Sequence, residues 1–406
     1  MLSNIERLEL RRKRMEKSPA ILRGGFRPFF LGAAGSAFTG LAVWLAFLFA
    51  LVPADFVADP LAWHRHEMVF GFAGAAIAGF ALTAVPNWTG RLPIAGKPLA
   101  ALFGLWLSGR LLPLYLSAES VLPAILDGGF YILLAAVLGR EILQSRNRNL
   151  PIVIIIAIFG IAAFTDRLVI AEIVRASTIG WQGGLALATA LIALIGGRIV
   201  PSFTRNWLAG LGMRESLPIQ PNRFDHSVVV LTVVGLIAWI GPTNSAVTGV
   251  LLLGAGIANL VRLVRWRGWR CVSNPLLLVL HLGYLWLAIG VMMLGLSHWA
   301  IIPELAAVHA LSVGAMATMI LAVMSRASLG HTGRPLVANR LITMAFVSIT
   351  IAAAARVMAS LAVGDPQIML ALAGLGWLVA FALFLVVFTP ILCSPRADAS
   401  PNRLTS

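Results

Sequence analysis

Apolar positions run along this chain in long unbroken stretches, without the two-residue or 3.6-residue alternation of soluble strands and helices, and polar residues gather in the short gaps between. A run of about 20 apolar residues, rising 1.5 Å per residue, crosses about 30 Å of hydrocarbon. Twelve such spans are predicted, at residues 29–52, 66–86, 98–117, 120–141, 150–171, 177–200, 227–245, 246–262, 274–297, 300–325, 338–362 and 368–393. The expected fold class is an all-α polytopic membrane protein. A basic tail at 1–28 precedes the membrane domain at 29–393, and a second tail follows at 394–406.

Composition agrees: with 59% hydrophobic and 12% charged residues, 406 residues carry too little polar surface to coat a water-soluble globule. Mean hydropathy is +0.90. Charge then orients the spans, because Lys and Arg collect on the cytoplasmic side. Following the twelve spans from an inside N-terminus places 26 of the 31 Lys and Arg in cytoplasmic segments. The exceptions are Arg65, Arg110, Arg167, Arg175 and Arg356. Both termini are therefore expected on the cytoplasmic side. The net charge of +15 is dispersed over loops beside apolar helices, where lipid headgroups are the natural counter-charge. The bilayer is the expected partner, and nucleic acid is not. The N-terminal tail reads as a cytoplasmic leader to the first span, since its basic region is long and no small-residue cleavage site follows. Cys271 and Cys393 both fall near the cytoplasmic face, which argues against a disulfide or a cysteine metal site.

Self-comparison exposes a repeat. A shift of 243 residues lays His66 on His309, Gly71 on Gly314 and Thr89-Gly90-Arg91 on Thr332-Gly333-Arg334. A weaker match at a shift of 115 sets VPNWTGR at 85–91 against VPSFTRN at 200–206. The pattern predicts three four-helix units, at about 29–141, 150–262 and 274–393, all in one orientation.

An ionisable side chain inside a bilayer costs about 2.5–3.5 kcal/mol even on the lenient insertion scale, so each one marks a functional position. His66, His309, Arg110, Arg356, Asp127 and the Asp166-Arg167 pair all fall toward the outer ends of their predicted spans. Two histidines at one depth on repeat-related helices suit axial ligation of a haem from both sides, with Arg110 and Arg356 pairing its propionates. The alternative is that each histidine hydrogen-bonds a neighbouring helix. In WHRHEMVFG at 63–71, His64 and Glu67 share a helix face while His66 points elsewhere. His64 and Glu67 either take part in a copper site or stand as interfacial polar residues at the helix mouth. His281 is a candidate separate ligand, and His298 at the outer rim a further one. Met316, Met319 and Met324 read as packing. No nucleotide-binding loop, nucleophile elbow or loop long enough for a soluble catalytic domain occurs, so no catalytic residues are assigned and enzymatic turnover is left open.

The stretch WHRHEMVFGFAGAAIAGFALTAVPNWTGRLP, with GGRIVPSFTRNWL and HALSVGAMATMILAVMSRASLGHTGRPL, resembles the NnrS family of bacterial membrane proteins over most of the chain. The resemblance implies a twelve-helix cytoplasmic-membrane protein containing haem and copper, linked to the nitric oxide response of denitrifying and other bacteria. The predicted repeats also suggest a haem–copper-oxidase-like arrangement, whose haem ligands lie on the second and tenth helices. The sixth span offers Trp181 at the matching point and the copper-holding histidines of those oxidases are missing, which argues against oxygen reduction. Three functions compete: a haem protein that binds, senses or relieves nitric oxide stress; a transporter of a metal or small anion lined by the outer arginines and histidines; and a redox protein taking electrons from quinol or another redox partner.

Overall fold

A computed structural model describes residues 6–397, apart from 7–8, 11–12, 14–15, 54–58, 117–118, 176, 216 and 242–244. Part of the N-terminal tail and residues 398–406 of the C-terminal tail lie outside the described residues. Twelve long helices follow one another among the described residues: α1 Phe26–Leu48, α2 Pro60–Thr89, α3 Lys97–Leu111, α4 Leu122–Gln144, α5 Leu150–Ile170, α6 Ile179–Gly210, α7 Arg223–Ile240, α8 Ala246–Arg265, α9 Pro275–Ser297, α10 Glu304–His331, α11 Arg340–Ser360 and α12 Pro366–Cys393. Eleven are long and apolar enough to cross a membrane.

The twelfth, α3, departs from the predicted span at 98–117. It stops after 15 residues in a 3₁₀ turn, Leu112–Leu114. Pro113 has no N–H to donate and its ring crowds the preceding turn, so the α-helix cannot pass it. The second departure is at the start of α2, predicted at residue 66. Asp59 accepts a hydrogen bond from the Ala62 N–H at 2.9 Å and Pro60 occupies the first helical turn, so the helix begins there. His66 therefore lies nearly two turns inside α2 and is fully buried instead of at its mouth.

Three helices contain π-helical segments: Glu67–Ala73 in α2, Ile192–Gly196 in α6 and Ala310–Ala317 in α10. A π segment leaves backbone carbonyls out of the regular ladder, and inside a bilayer neighbouring side chains must satisfy them. In α2, Trp106 Nε1 of α3 donates to Gly71 O at 3.3 Å and the Tyr131 hydroxyl of α4 donates to Phe70 O. In α6, Arg262 of α8 donates to Ala193 O at 2.8 Å.

The chain divides into two compact units. The first comprises Met1–Gly184, Ala327–Pro335 and Phe384–Ser406, and the second Leu185–Arg326 and Leu336–Leu383. In the first, α4 and α5 cross at a glycine pair: a Cβ on Gly128 would meet Gly160 O, and one on Gly160 would meet Gly128 O. Such small-residue crossings let helix backbones approach where no hydrophobic effect drives association. This crossing sets Asp127 of α4 opposite the end of α5 that carries Asp166 and Arg167.

The first unit also fastens the start of α1 to the end of α12. Arg27, 3% exposed at the start of α1, donates from Nη1 to Leu392 O at 2.5 Å and Ser394 O at 2.7 Å. These carbonyls end α12, where orphan acceptors and the helix dipole favour a cation. Hydrogen bonds to charged groups contribute about 1.5–3 kcal/mol. Arg27→Ala is expected to lower the unfolding free energy in detergent by about that amount, read as a lower melting temperature by circular dichroism.

In the second unit α8 and α9 pack through Gly249 and Gly295. A buried polar chain then ties α6, α7, α8 and α9. Arg262 Nε donates to Asp225 Oδ1 at 2.9 Å and Nη1 to the Tyr284 hydroxyl at 2.7 Å. Tyr284 donates to Asn259 Oδ1 at 2.7 Å, and Asn259 Nδ2 to Thr232 Oγ1 at 2.8 Å. Asn222 and Asp225 cap the start of α7 reciprocally, which holds Asp225 in place for Arg262.

Candidate functional site

The first unit encloses a cluster of six ionisable side chains from four helices: His66 and Glu67 of α2, Arg110 of α3, Asp127 of α4, and Asp166 and Arg167 of α5. All are 9% exposed or less. Gly71 and Gly109 make room: a Cβ on Gly71 would run into Glu67 Oε2 and Arg110 Nη1, and one on Gly109 into Asp127.

Arg167 is the hub of this cluster. Its Nε donates to Asp127 Oδ2 at 2.6 Å and its Nη2 to Glu67 Oε1 at 2.9 Å, with a weaker bond to Gly109 O at 3.3 Å. Arg110 donates to Asp127 Oδ1 and lies 3.3 Å from Glu67 Oε2. The two arginines and two carboxylates therefore close a ring of ion pairs, as buried charges require. His66 stands beside it, with Nε2 2.9 Å from Asp127 Oδ2 and Nδ1 2.8 Å from Asp166 Oδ2. The Phe70 ring covers the imidazole at 4.9 Å.

This geometry separates the residues singled out from sequence. His66, Arg110 and Glu67 come together, but with one another and with carboxylates. Both ring nitrogens of His66 are engaged, so neither faces an iron while those contacts hold. His64 does not join Glu67. It stacks on Trp44 of α1 at 4.6 Å, and the Arg65 guanidinium lies over the Trp181 ring at 5.3 Å. Asp127, Asp166 and Arg167 were legible as costly in-membrane charges, but nothing in their spacing shows that they meet around His66.

The second unit holds His309 in a different setting. Nδ1 donates to Leu305 O, one turn earlier on α10, at 2.7 Å, and Ser360 Oγ of α11 lies 3.4 Å from the same nitrogen. This fixes the tautomer: the proton is on Nδ1 and the lone pair on Nε2, which has no hydrogen-bond partner among the described residues. A ring nitrogen held on a backbone carbonyl is the usual support of a metal-ligating histidine. Arg356 donates from Nη1 to Ser360 Oγ at 2.9 Å and has no carboxylate partner among the described residues. Imidazole donor and unneutralised guanidinium thus share one serine.

The remaining candidates are isolated. His281 Nε2 pairs with Thr204 Oγ1 at 2.9 Å, and its buried Nδ1 has no hydrogen-bond partner among the described residues. His298 Nδ1 donates to Leu294 O at 3.0 Å. Among the described residues no three His, Cys, Asp or Glu side chains gather in a way that could hold a metal ion. No ligand set for the copper that the resemblance implies gathers among the described residues.

No curated protein matches this sequence. A family model described as NnrS protein matches residues 20–396, nearly the whole chain. The chain therefore belongs to the NnrS family.

Proposed function

We propose that this chain, which its membership of the NnrS family supports in general as a membrane protein of the nitric oxide response, is a haem-binding protein of a bacterial inner membrane, with both termini cytoplasmic, that binds, senses or relieves nitric oxide. The reading rests on the pairing of His309 with Arg356. A tautomer-fixed imidazole presents Nε2 beside a guanidinium that lacks an anionic partner among the described residues, and haem brings both an iron for the first and propionates for the second. His309 would hold the iron and Arg356 a propionate, while Leu305 O and Ser360 orient the ring. Bound haem would supply a coordination position for a diatomic gas. His66 is left out of the ligand set because both its nitrogens are occupied.

The three-repeat organisation is proposed on related grounds. The π segments of α2 and α10 begin at Glu67 and Ala310, and Gly90 and Gly333 both adopt left-handed backbone after those helices, with φ of 66° and 71°. Each pair is separated by the 243 residues that align the two histidines.

Expression with ample haem supply, followed by haem quantification on detergent-purified protein, tests this reading. Wild type and His66→Gln are expected to carry haem, His309→Ala to carry none, and Arg356→Gln to lose part of it. A haem-free wild type would favour the second reading, in which Arg356 serves a transported small anion.

A further inference from the structure

The His66 contacts demand a proton that neither an ordinary histidine nor ordinary aspartates would supply. Asp127 is already tied to two guanidiniums: Oδ1 accepts from Arg110 and Oδ2 from Arg167 Nε at 2.6 Å. That pairing favours the ionised carboxylate. His66 Nε2, 2.9 Å from Asp127 Oδ2, must therefore carry hydrogen and donate. A neutral imidazole with hydrogen on Nε2 has a bare lone pair on Nδ1. Yet Nδ1 lies 2.8 Å from Asp166 Oδ2, in a site where His66 is 0% exposed. A lone pair facing an ionised carboxylate oxygen at that distance is repulsive, and burial this deep leaves the repulsion strong. The contact is attractive only if one more proton lies on the Nδ1–Oδ2 line.

Three carboxylates, Glu67, Asp127 and Asp166, face the guanidiniums of Arg110, Arg167 and Arg65, and the backbone N–H of Trp181 also donates to Asp166, so the Nδ1–Oδ2 contact itself, and not a surplus of negative charge, calls for the added proton. The Tyr131 hydroxyl is spent on Phe70 O.

We infer that His66 and Asp166 form a proton-loading site, in which one exchangeable proton is shared between Nδ1 and the carboxylate while Asp127, anchored by Arg110 and Arg167, fixes the other face of the ring. The ligand is a single proton: water delivers it to the Nδ1–Oδ2 pair, and its departure leaves a neutral ring against an ionised Asp166. The direction of delivery follows from the helix ends. Asp166 is one turn from the end of α5 at Ile170, beside half-buried Arg65, and residues 172–175 beyond it are exposed. Proton relays built from aspartate, glutamate and histidine are one established use of such groups inside a membrane. The inference is independent of iron binding at His309.

The test is nitrogen NMR of ¹⁵N-histidine-labelled protein in lipid, with infrared spectroscopy of the carboxyl region on the same samples. The His66 signals are assigned by their loss in His66→Gln or, if that variant does not fold, by couplings to Arg65 and Glu67. At neutral pH the site is expected to show either a doubly protonated ring or a singly protonated ring with a protonated carboxyl band that disappears in Asp166→Asn. Raising the pH should remove that proton reversibly while circular dichroism shows the helices intact. A neutral ring with no protonated carboxyl at neutral pH would overturn the inference. So would a proton lost only on unfolding, which would make it a structural part of the fold.

Discussion

Arg167→Leu is expected to abolish the folded state of the first unit or leave it severely destabilised. Arg167 joins Asp127 and Glu67 through separate nitrogens and also reaches Gly109 O, and it is 5% exposed. Removing one partner of a buried ion pair costs about 3–5 kcal/mol, because the charge left behind has lost its water and its counter-ion. Here Glu67 is left with Arg110 alone, and Asp127 with Arg110 and His66. The expected readout is little monodisperse protein in detergent, or a melting transition lowered by at least that free energy. Glu67→Gln removes one of the stranded charges, so the Arg167→Leu, Glu67→Gln double variant should be less damaged than the sum of the single changes. If Arg167→Leu melted within about 0.5 kcal/mol of wild type, the range of ordinary surface substitutions, the ring of ion pairs would not be what holds this unit together.

Gly128→Leu should be nearly as damaging, for a steric reason. A Cβ at this position would meet Phe164 and the carbonyl oxygen of Gly160, so the added side chain must part α4 from α5. Overpacking a tight site costs about 1–3 kcal/mol when side chains can yield, and here one obstacle is backbone. Parting these helices would also draw Asp127 away from Asp166 and Arg167. Gly129→Leu is the matched control: its Cβ position has nothing within 4 Å, and replacing a helical glycine there relieves a propensity cost of about 1 kcal/mol. Melting curves should therefore separate the two neighbours sharply, with Gly128→Leu unstable and Gly129→Leu at or above wild type.

Much of the fold was legible because the bilayer sets one dominant period, a run of about 20 apolar residues. The helix ends were less so. Hydropathy falls at the charged WHRHE segment and so starts a span at residue 66, yet Asp59 and Pro60 carry the local signal that starts α2. That difference moves His66 from a rim to a buried centre. The cluster around it was legible only as a set of expensive residues. Asp127, Asp166 and Arg167 stood out by their cost in a membrane, but partner choice depends on helix rotation and on close approach at Gly71, Gly109 and Gly128, which spacing alone does not encode. The repeat placed His66 and His309 at equivalent positions, and their surroundings nonetheless differ. The residue aligned with Asp127 is Leu370 and that aligned with Arg110 is Ala353, so the second copy lacks partners that engage His66 and its carboxylates in the first. The Asp225–Arg262–Tyr284–Asn259 chain was missed, although Asn259 and Arg262 three residues apart on one helix face could have flagged it.

The most direct test of the central claim, that His309 and not His66 presents the iron ligand, is the optical spectrum of purified His309→Gly with and without added imidazole. This variant is expected to lack the haem spectrum of wild type and to regain it when imidazole fills the vacated position, whereas His66→Gln keeps the wild-type spectrum and its shift on nitric oxide addition. Full haem content with an unchanged spectrum in His309→Gly would contradict the claim.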